Sequence, residues 1–186
     1  MQGTSNYSME HRKELLHMLP KNGVGVEVGV HKGEFSEQIL LVTKPRKLYL
    51  VDPWVSFSSP AYKQSLYGED VTQEEMDERY NRVVDKFDGN DAVNIIRDYS
   101  IDASAIFSDE SLDYVYIDGD HTFEAVCNDF NVWFPKIKKG GYICGDDYKL
   151  GSWWQNGVVD AVHLNLQHKP LIVTYLRRDQ YILEKY

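Results

Sequence analysis

Residues 24–33 read Val24-Gly-Val-Glu-Val-Gly-Val-His-Lys-Gly33. Valine recurs at every second position, which is strand periodicity, and the glycines at 25, 29 and 33 punctuate a turn at its end. Ser36 to Val42 reads as the helix that follows. Lys47-Leu-Tyr-Leu-Val-Asp52 is a second strand, stopped by Pro53.

The alternation continues outward in both directions. Leu15, Leu16, Met18 and Leu19 form a short amphipathic helix before Pro20 and Gly23. Gln73 to Phe87 is a charged helix, Ala92 to Ile96 a third strand, and Ile101 to Phe107 a short helix that Ser100 is placed to cap. Leu112 to Ile117 is the fourth strand, and helical spacing runs between Thr122 and Phe134. Gly140-Gly141 leads into a fifth strand, Tyr142 to Gly145. A helix near Asn156 to Leu166 precedes Leu171 to Leu176 and Tyr181 to Leu183, an antiparallel pair around Arg177-Arg178-Asp179. The expected fold is therefore α/β: a Rossmann-like, mainly parallel sheet of seven strands, flanked by helices and closed by a C-terminal antiparallel hairpin. Residues 1–186 are expected to form one domain, with the aperiodic stretch 55–72 a candidate lid or specificity insertion.

Composition narrows the function classes. In 186 residues, 29 acids outnumber 20 lysines and arginines, for a net charge of -9. That balance repels phosphate backbones, so no nucleic-acid partner is expected. No apolar run approaches the roughly 18–20 residues of a spanning helix, so no membrane partner is expected either. Cys127 and Cys144 form no CxxC pair and read as buried thiols of a reducing, cytoplasmic compartment.

Two clusters of residues carry the chemistry. Gly25, Gly29 and Gly33 lack the GxGxxG pattern that receives a pyrophosphate, which disfavours a dehydrogenase, yet they leave room for a ligand against the backbone. Asp52 ends the second strand about 20 residues later, where a carboxylate accepts ribose hydroxyls. Together they favour a nucleoside site. The second cluster is Tyr116-Ile-Asp-Gly-Asp-His121 with Gly145-Asp-Asp-Tyr148. Asp118 ends strand four, and Asp146 and Asp147 end strand five. Neighbouring strands lie about 5 Å apart, so three carboxylates converge, and a divalent cation would relieve their repulsion. The plainer alternative is a solvated acidic turn with Asp118 as a helix cap. His31 in the glycine turn is expected to be exposed, and Trp54, Trp153 and Trp154 flank the motifs as pocket or core residues.

The stretch from Val26 to Gly33 resembles the E/DxGxxxG first motif of class I S-adenosylmethionine-dependent methyltransferases. Asp52 falls at that family's ribose-binding acid, and the resemblance spans roughly residues 22–186. It implies that Gly29 and Gly33 pass beside the methionine part of S-adenosylmethionine, that Glu27 orients the turn, and that Tyr99 and Ser100 lie in the adenine-contacting loop. Asp118 also faces the cofactor. IDGDH followed by GGYICGDDY resembles the metal-dependent small-molecule O-methyltransferases, especially those acting on sugars of macrolide and aminocoumarin antibiotics. Catechol-type relatives carry Asp-Asn where this chain has Asp146-Asp147.

The resemblance implies magnesium at Asp118, Asp146 and Asp147, and a general base at His121, with Asp120 the rival. Asp120 has the stronger structural alternative, because Asp is a favoured N-cap and a helix follows. The expected activity is methyl transfer to a hydroxyl of a small-molecule acceptor. A non-catalytic S-adenosylmethionine-binding module and a metal-independent methyltransferase are the alternatives.

Overall fold

The valine alternation of residues 24–28 builds an inner strand of the sheet. The computed structural model describes residues 12–57, 65, 71–151 and 153–186, and the numbers below refer to these. Helical residues 12–16 (α1) lead into β1 (Val24–Val28), α2 (Glu34–Thr43), β2 (Lys47–Val51), α3 (Gln73–Phe87) and β3 (Val93–Ile96). The second half runs α4 (Ser100–Ser104), β4 (Leu112–Ile117), α5 (Phe123–Trp133), β5 (Ile137–Gly145), α6 (Gly157–His168), β6 (Leu171–Arg177) and β7 (Gln180–Lys185). The seven strands form one sheet in the order β3-β2-β1-β4-β5-β7-β6. Pairings up to β5 are parallel, and β7 is antiparallel to both β5 and β6. This is the expected Rossmann-like sheet with its closing hairpin.

Period-two side-chain alternation divides the core between the two faces of the sheet. In β4, Leu112, Val115 and Ile117 pack with Phe130, Trp133 and Val162 from α5 and α6. Tyr114 and Tyr116 point the other way, against Leu15, Leu16, Phe35 and Ile39 from the helical layer formed by α1 and α2. Both layers are buried, so the strands carry apolar residues on each face. Thr72 and Glu75 close a reciprocal capping box, which fixes where α3 begins.

The structure corrects three local expectations. The fifth strand begins at Ile137, not Tyr142, because Gly140 and Gly141 sit inside it as an irregularity. Two steps along β4, from Leu112 to Tyr114, face five along β5, from Ile137 to Tyr142. Gly140 has φ +74°, so glycine lets the extra residues bulge out. Second, α4 starts at Ser100 with Tyr99 as its N-cap, and no side chain caps it. Third, α5 is capped by Thr122, not Asp120. Most of the 55–72 stretch lies outside the described residues. Phe57 and Ser65, which are described, line the cavity discussed next. No helix among the described residues is long and apolar enough to cross a membrane.

Candidate functional site

Strand order reverses at β1, whose neighbours are β2 on one side and β4 on the other. Such a switch point opens a crevice at the carboxyl ends of the strands. A cavity of about 1160 Å³ lies there. It exceeds the ~300–1,000 Å³ that encloses one drug-sized ligand, so there is room for a donor and an acceptor together.

The glycine turn forms one wall. Gly29 has φ +89°, and a Cβ there would stand 2.1 Å from the backbone oxygen of Asp118. The ends of β1 and β4 thus approach too closely for any side chain. Asp52 is the hub of this turn. Its Oδ2 accepts from the N–H groups of Val30 and His31 at 2.9 Å each, and its Oδ1 from Trp54 at 2.8 Å. Glu27 accepts a hydrogen bond from Ser36 in α2, and burial pushes its carboxyl up to about 8. Gly33 is left-handed at φ +70° and caps α2, but it does not line the cavity; a Cβ there would meet Phe87 of α3. His31 is half-buried rather than exposed, and burial drives its imidazole down to about 4. Trp54 is fully buried, donating from its indole N–H to the His31 carbonyl at 2.8 Å, and so belongs to the core.

Tyr99 and Ser100 line the opposite end. Ser100 receives the indole N–H of Trp133 at 2.8 Å and gives its own proton to Asp129, at 2.5 Å. Sequence reading passed over Asp129, which looks like any helix acid. Burial pushes Asp129 up to about 7. The folded protein therefore holds that proton more tightly than the unfolded chain does. The stability this brings is complete below the ordinary carboxylate range and is lost as pH rises through 7. Asp129→Asn keeps an acceptor for Ser100 and removes the titration. Urea unfolding is expected to show the variant gaining on the wild type between pH 5 and pH 8, by on the order of 2 kcal/mol.

The acid cluster forms the remaining wall, and the structure splits it in two. Arg12, from α1, bonds Asp118 through Nη2 and lies 3.2 Å from Asp146 through Nε. The same guanidinium donates to the Tyr116 hydroxyl at 3.1 Å and stacks 3.8 Å above the Phe35 ring. Burial raises the Asp118 and Asp146 carboxyls, while Arg12 pulls them back toward the charged form. Asp147 turns the other way. Its Oδ2 stands 3.1 Å from His121 Nε2, and Lys149 approaches its Oδ1 at 3.5 Å. Burial alone would depress the imidazole, but the bond to Asp147 and the nearby Asp118 outweigh it and raise His121 above its usual value. The ring packs against both Trp153 and Trp154, with centroids 5.8 and 5.1 Å away, and the two indoles touch each other at 5.5 Å. Asp120 lines the cavity and accepts from the Thr122 N–H at 2.8 Å.

Asp118, His121 and Asp147 each offer a ligand atom, all within 4.8 Å of one another. The donor set suits a divalent cation in charge and spacing. It differs from three aspartates side by side: His121 takes the place of Asp146, and Arg12 bonds Asp118 as well as facing Asp146. Sequence reading had no means of finding Arg12, which reaches the site from 106 residues before Asp118.

Comparison with known proteins bears on this arrangement. Residues 26–148 match the model of a family described as a methyltransferase domain. An uncharacterized protein of Acanthamoeba polyphaga mimivirus is 30% identical over 133 residues, covering 69% of this chain and 52% of that protein. The chain thus aligns with about half the length of that relative. Among solved structures, a Corynebacterium glutamicum protein superposes with TM-score 0.67 at 13% identity, over 96% of this chain and 80% of its own. The O-methyltransferase NovP superposes with TM-score 0.61 at 18% identity, over 95% and 78%. At such identities the two superpositions speak for the fold alone.

Proposed function

The chain belongs to the methyltransferase-domain family, and from that premise we propose that it transfers a methyl group from S-adenosylmethionine to a hydroxyl of a small-molecule acceptor, aided by a divalent cation. The observation that carries this reading is the joining of a nucleoside-sized crevice and an acid cluster in one cavity. Gly29 brings the turn after β1 against the end of β4, so the donor and the acids share a wall. Methyl transfer from a sulfonium is an in-line displacement, and holding both partners in one enclosed volume supplies much of the acceleration.

Asp147 would hold the cation together with Asp118, which Arg12 would have to release, and Asp146 would join them in the same exchange. When bound, the cation lowers the pKa of the acceptor hydroxyl and orients it. The remaining work falls to the chain's own residues. Asp147 ties one ring nitrogen of His121, which fixes the imidazole and leaves the other nitrogen to take the acceptor's proton. Trp153 and Trp154 crowd that ring and keep bulk water from it. Were His121 itself a ligand, as its distance to the two acids permits, the proton would pass to Asp120. The acidic wall and the net charge of -9 argue against a nucleic-acid acceptor.

The test is incubation of the purified protein with radiolabelled S-adenosylmethionine and a panel of sugars, polyols and phenols, with and without chelator. Label is expected in a methyl ether and to fall at least tenfold with chelator. No methyl ether from any of these acceptors, or transfer indifferent to chelator, would contradict the acceptor or the cation respectively.

A further inference from the structure

The closing hairpin buries a side-chain amide that no other described residue satisfies. β7 runs antiparallel to β5, and their ladder ends at the pair Gly145 and Tyr181. Gln180 stands one step beyond, beside Asp146, and pairs on its other side with Arg177 of β6. It is 1% exposed, yet neither Oε1 nor Nε2 of its amide has a hydrogen-bond partner among the described residues. Both atoms belong to a residue on the cavity wall. A primary amide carries two donors and two acceptor positions, and burying it unpaired costs stability. Buried polar groups left this way are few in native proteins, and each calls for a reason.

The surroundings select the ligand that would satisfy it. Asp118, Asp120, Asp146, Asp147 and Asp179 all face the same cavity. Of the described lysines and arginines on the cavity wall, three are committed, Arg12 to Asp118 and Asp146, Lys149 to Asp147 and Asp179, and Arg178 to Glu14, while Lys32 belongs to the glycine turn. An anionic acceptor would meet unbalanced negative charge. A neutral hydroxyl fits, since it accepts from Nε2 and donates to Oε1 at once. Trp154 Nε1, a donor only, is likewise buried on the cavity wall without a partner. It adds a second place for a hydroxyl oxygen.

We infer that Gln180 reads the methyl acceptor: its side-chain amide, beside Asp146, binds a neutral hydroxyl of a polyhydroxylated ligand and so sets acceptor specificity. This rests on the proposed methyltransferase site. It gives the C-terminal hairpin, whose turn residues Arg178 and Asp179 also line the cavity, a part in holding the acceptor. A phenol ring with two hydroxyls spends both on the acid cluster, whereas a sugar has further hydroxyls left for the Gln180 amide.

The experiment compares the wild type with Gln180→Met, which keeps volume and removes every hydrogen bond. S-adenosylhomocysteine binding is measured first by calorimetry and is expected to agree within twofold between the two proteins. The unliganded variant is expected to melt about 2–6 °C higher than the wild type, since an unsatisfied amide has been removed. With S-adenosylhomocysteine saturating, methyl α-glucopyranoside, methyl α-rhamnopyranoside and catechol are then titrated. The wild type is expected to bind at least one glycoside at least tenfold more tightly than Gln180→Met does, with catechol unaffected by the substitution.

A lower melting temperature in the variant would show that the amide has a structural partner, and would overturn the inference. So would a wild type that binds S-adenosylhomocysteine but no glycoside, or glycoside binding indifferent to the substitution. A wild type that fails to bind S-adenosylhomocysteine would defeat the proposed function itself, and this assignment with it.

Discussion

Gly29→Ala is expected to cost about 3 kcal/mol or more in stability and to abolish binding of S-adenosylhomocysteine. The new Cβ would lie 2.1 Å from the Asp118 carbonyl oxygen and 2.5 Å from its carbon. Those are backbone atoms at the end of β4, and they cannot swing aside as a side chain could. The residue also sits at φ +89°, which an L side chain rarely adopts. Relief requires β1 and β4 to separate at the switch point, where Gly29 N–H bonds Val51 and Asp118 N–H bonds Val28. Urea unfolding and calorimetry on one preparation check both parts. Gly119→Ala is the control, because a Cβ there meets only Val28 Cγ1 at 3.6 Å, an ordinary contact. Equal effects from both substitutions would contradict the close approach at Gly29.

The second large effect is expected from Arg12→Ala. Its guanidinium is the counter-charge shared by Asp118 and Asp146, two side chains that are about 15% exposed. Removing one partner of a buried ion pair costs about 3–5 kcal/mol, because the other is left uncompensated in a poor solvent. The loss of packing over Phe35 adds to this. Magnesium at 10 mM is expected to restore at least half of the lost melting temperature in the variant, since a cation can then take the place of the guanidinium. The wild type, whose Asp118 and Asp146 already have a counter-charge in Arg12, is expected to gain less from the ion than the variant does. Thermal denaturation with and without the ion checks this. A variant as stable as the wild type would mean that Arg12 is not the counter-charge.

Much of the fold was legible because its signals are local. The valines of β1 alternate, the acids that matter follow strand ends, and the helix after Thr122 shows its spacing within a dozen residues. From strand order alone, Asp52, Asp118, Asp146 and Asp147 could be placed at one edge of the sheet. What stayed hidden depends on distant pairing. Arg12 and Gln180 reach the cavity from the two ends of the chain, and neither belongs to a motif. Asp146 and Asp147 are adjacent in sequence, yet Asp147 has φ +57° and its carboxylate turns to His121 while that of Asp146 faces Arg12. No spacing rule separates two neighbouring aspartates in this way. Ser100 looked like a cap because serine often is one, but Asp129 and Trp133 compete for its hydroxyl from the next helix. Gly140 and Gly141 read as a turn before a strand, and only the register against β4 exposes them as a bulge within it.

These points converge on one claim, that the crevice between β1, β2 and β4 receives the nucleoside of S-adenosylmethionine. The most direct measurement is a calorimetric titration of the purified protein with S-adenosylhomocysteine, in magnesium-containing buffer and at two temperatures. Saturable one-to-one binding is the predicted result. No heat at either temperature, with ligand raised to millimolar concentration, would contradict the claim.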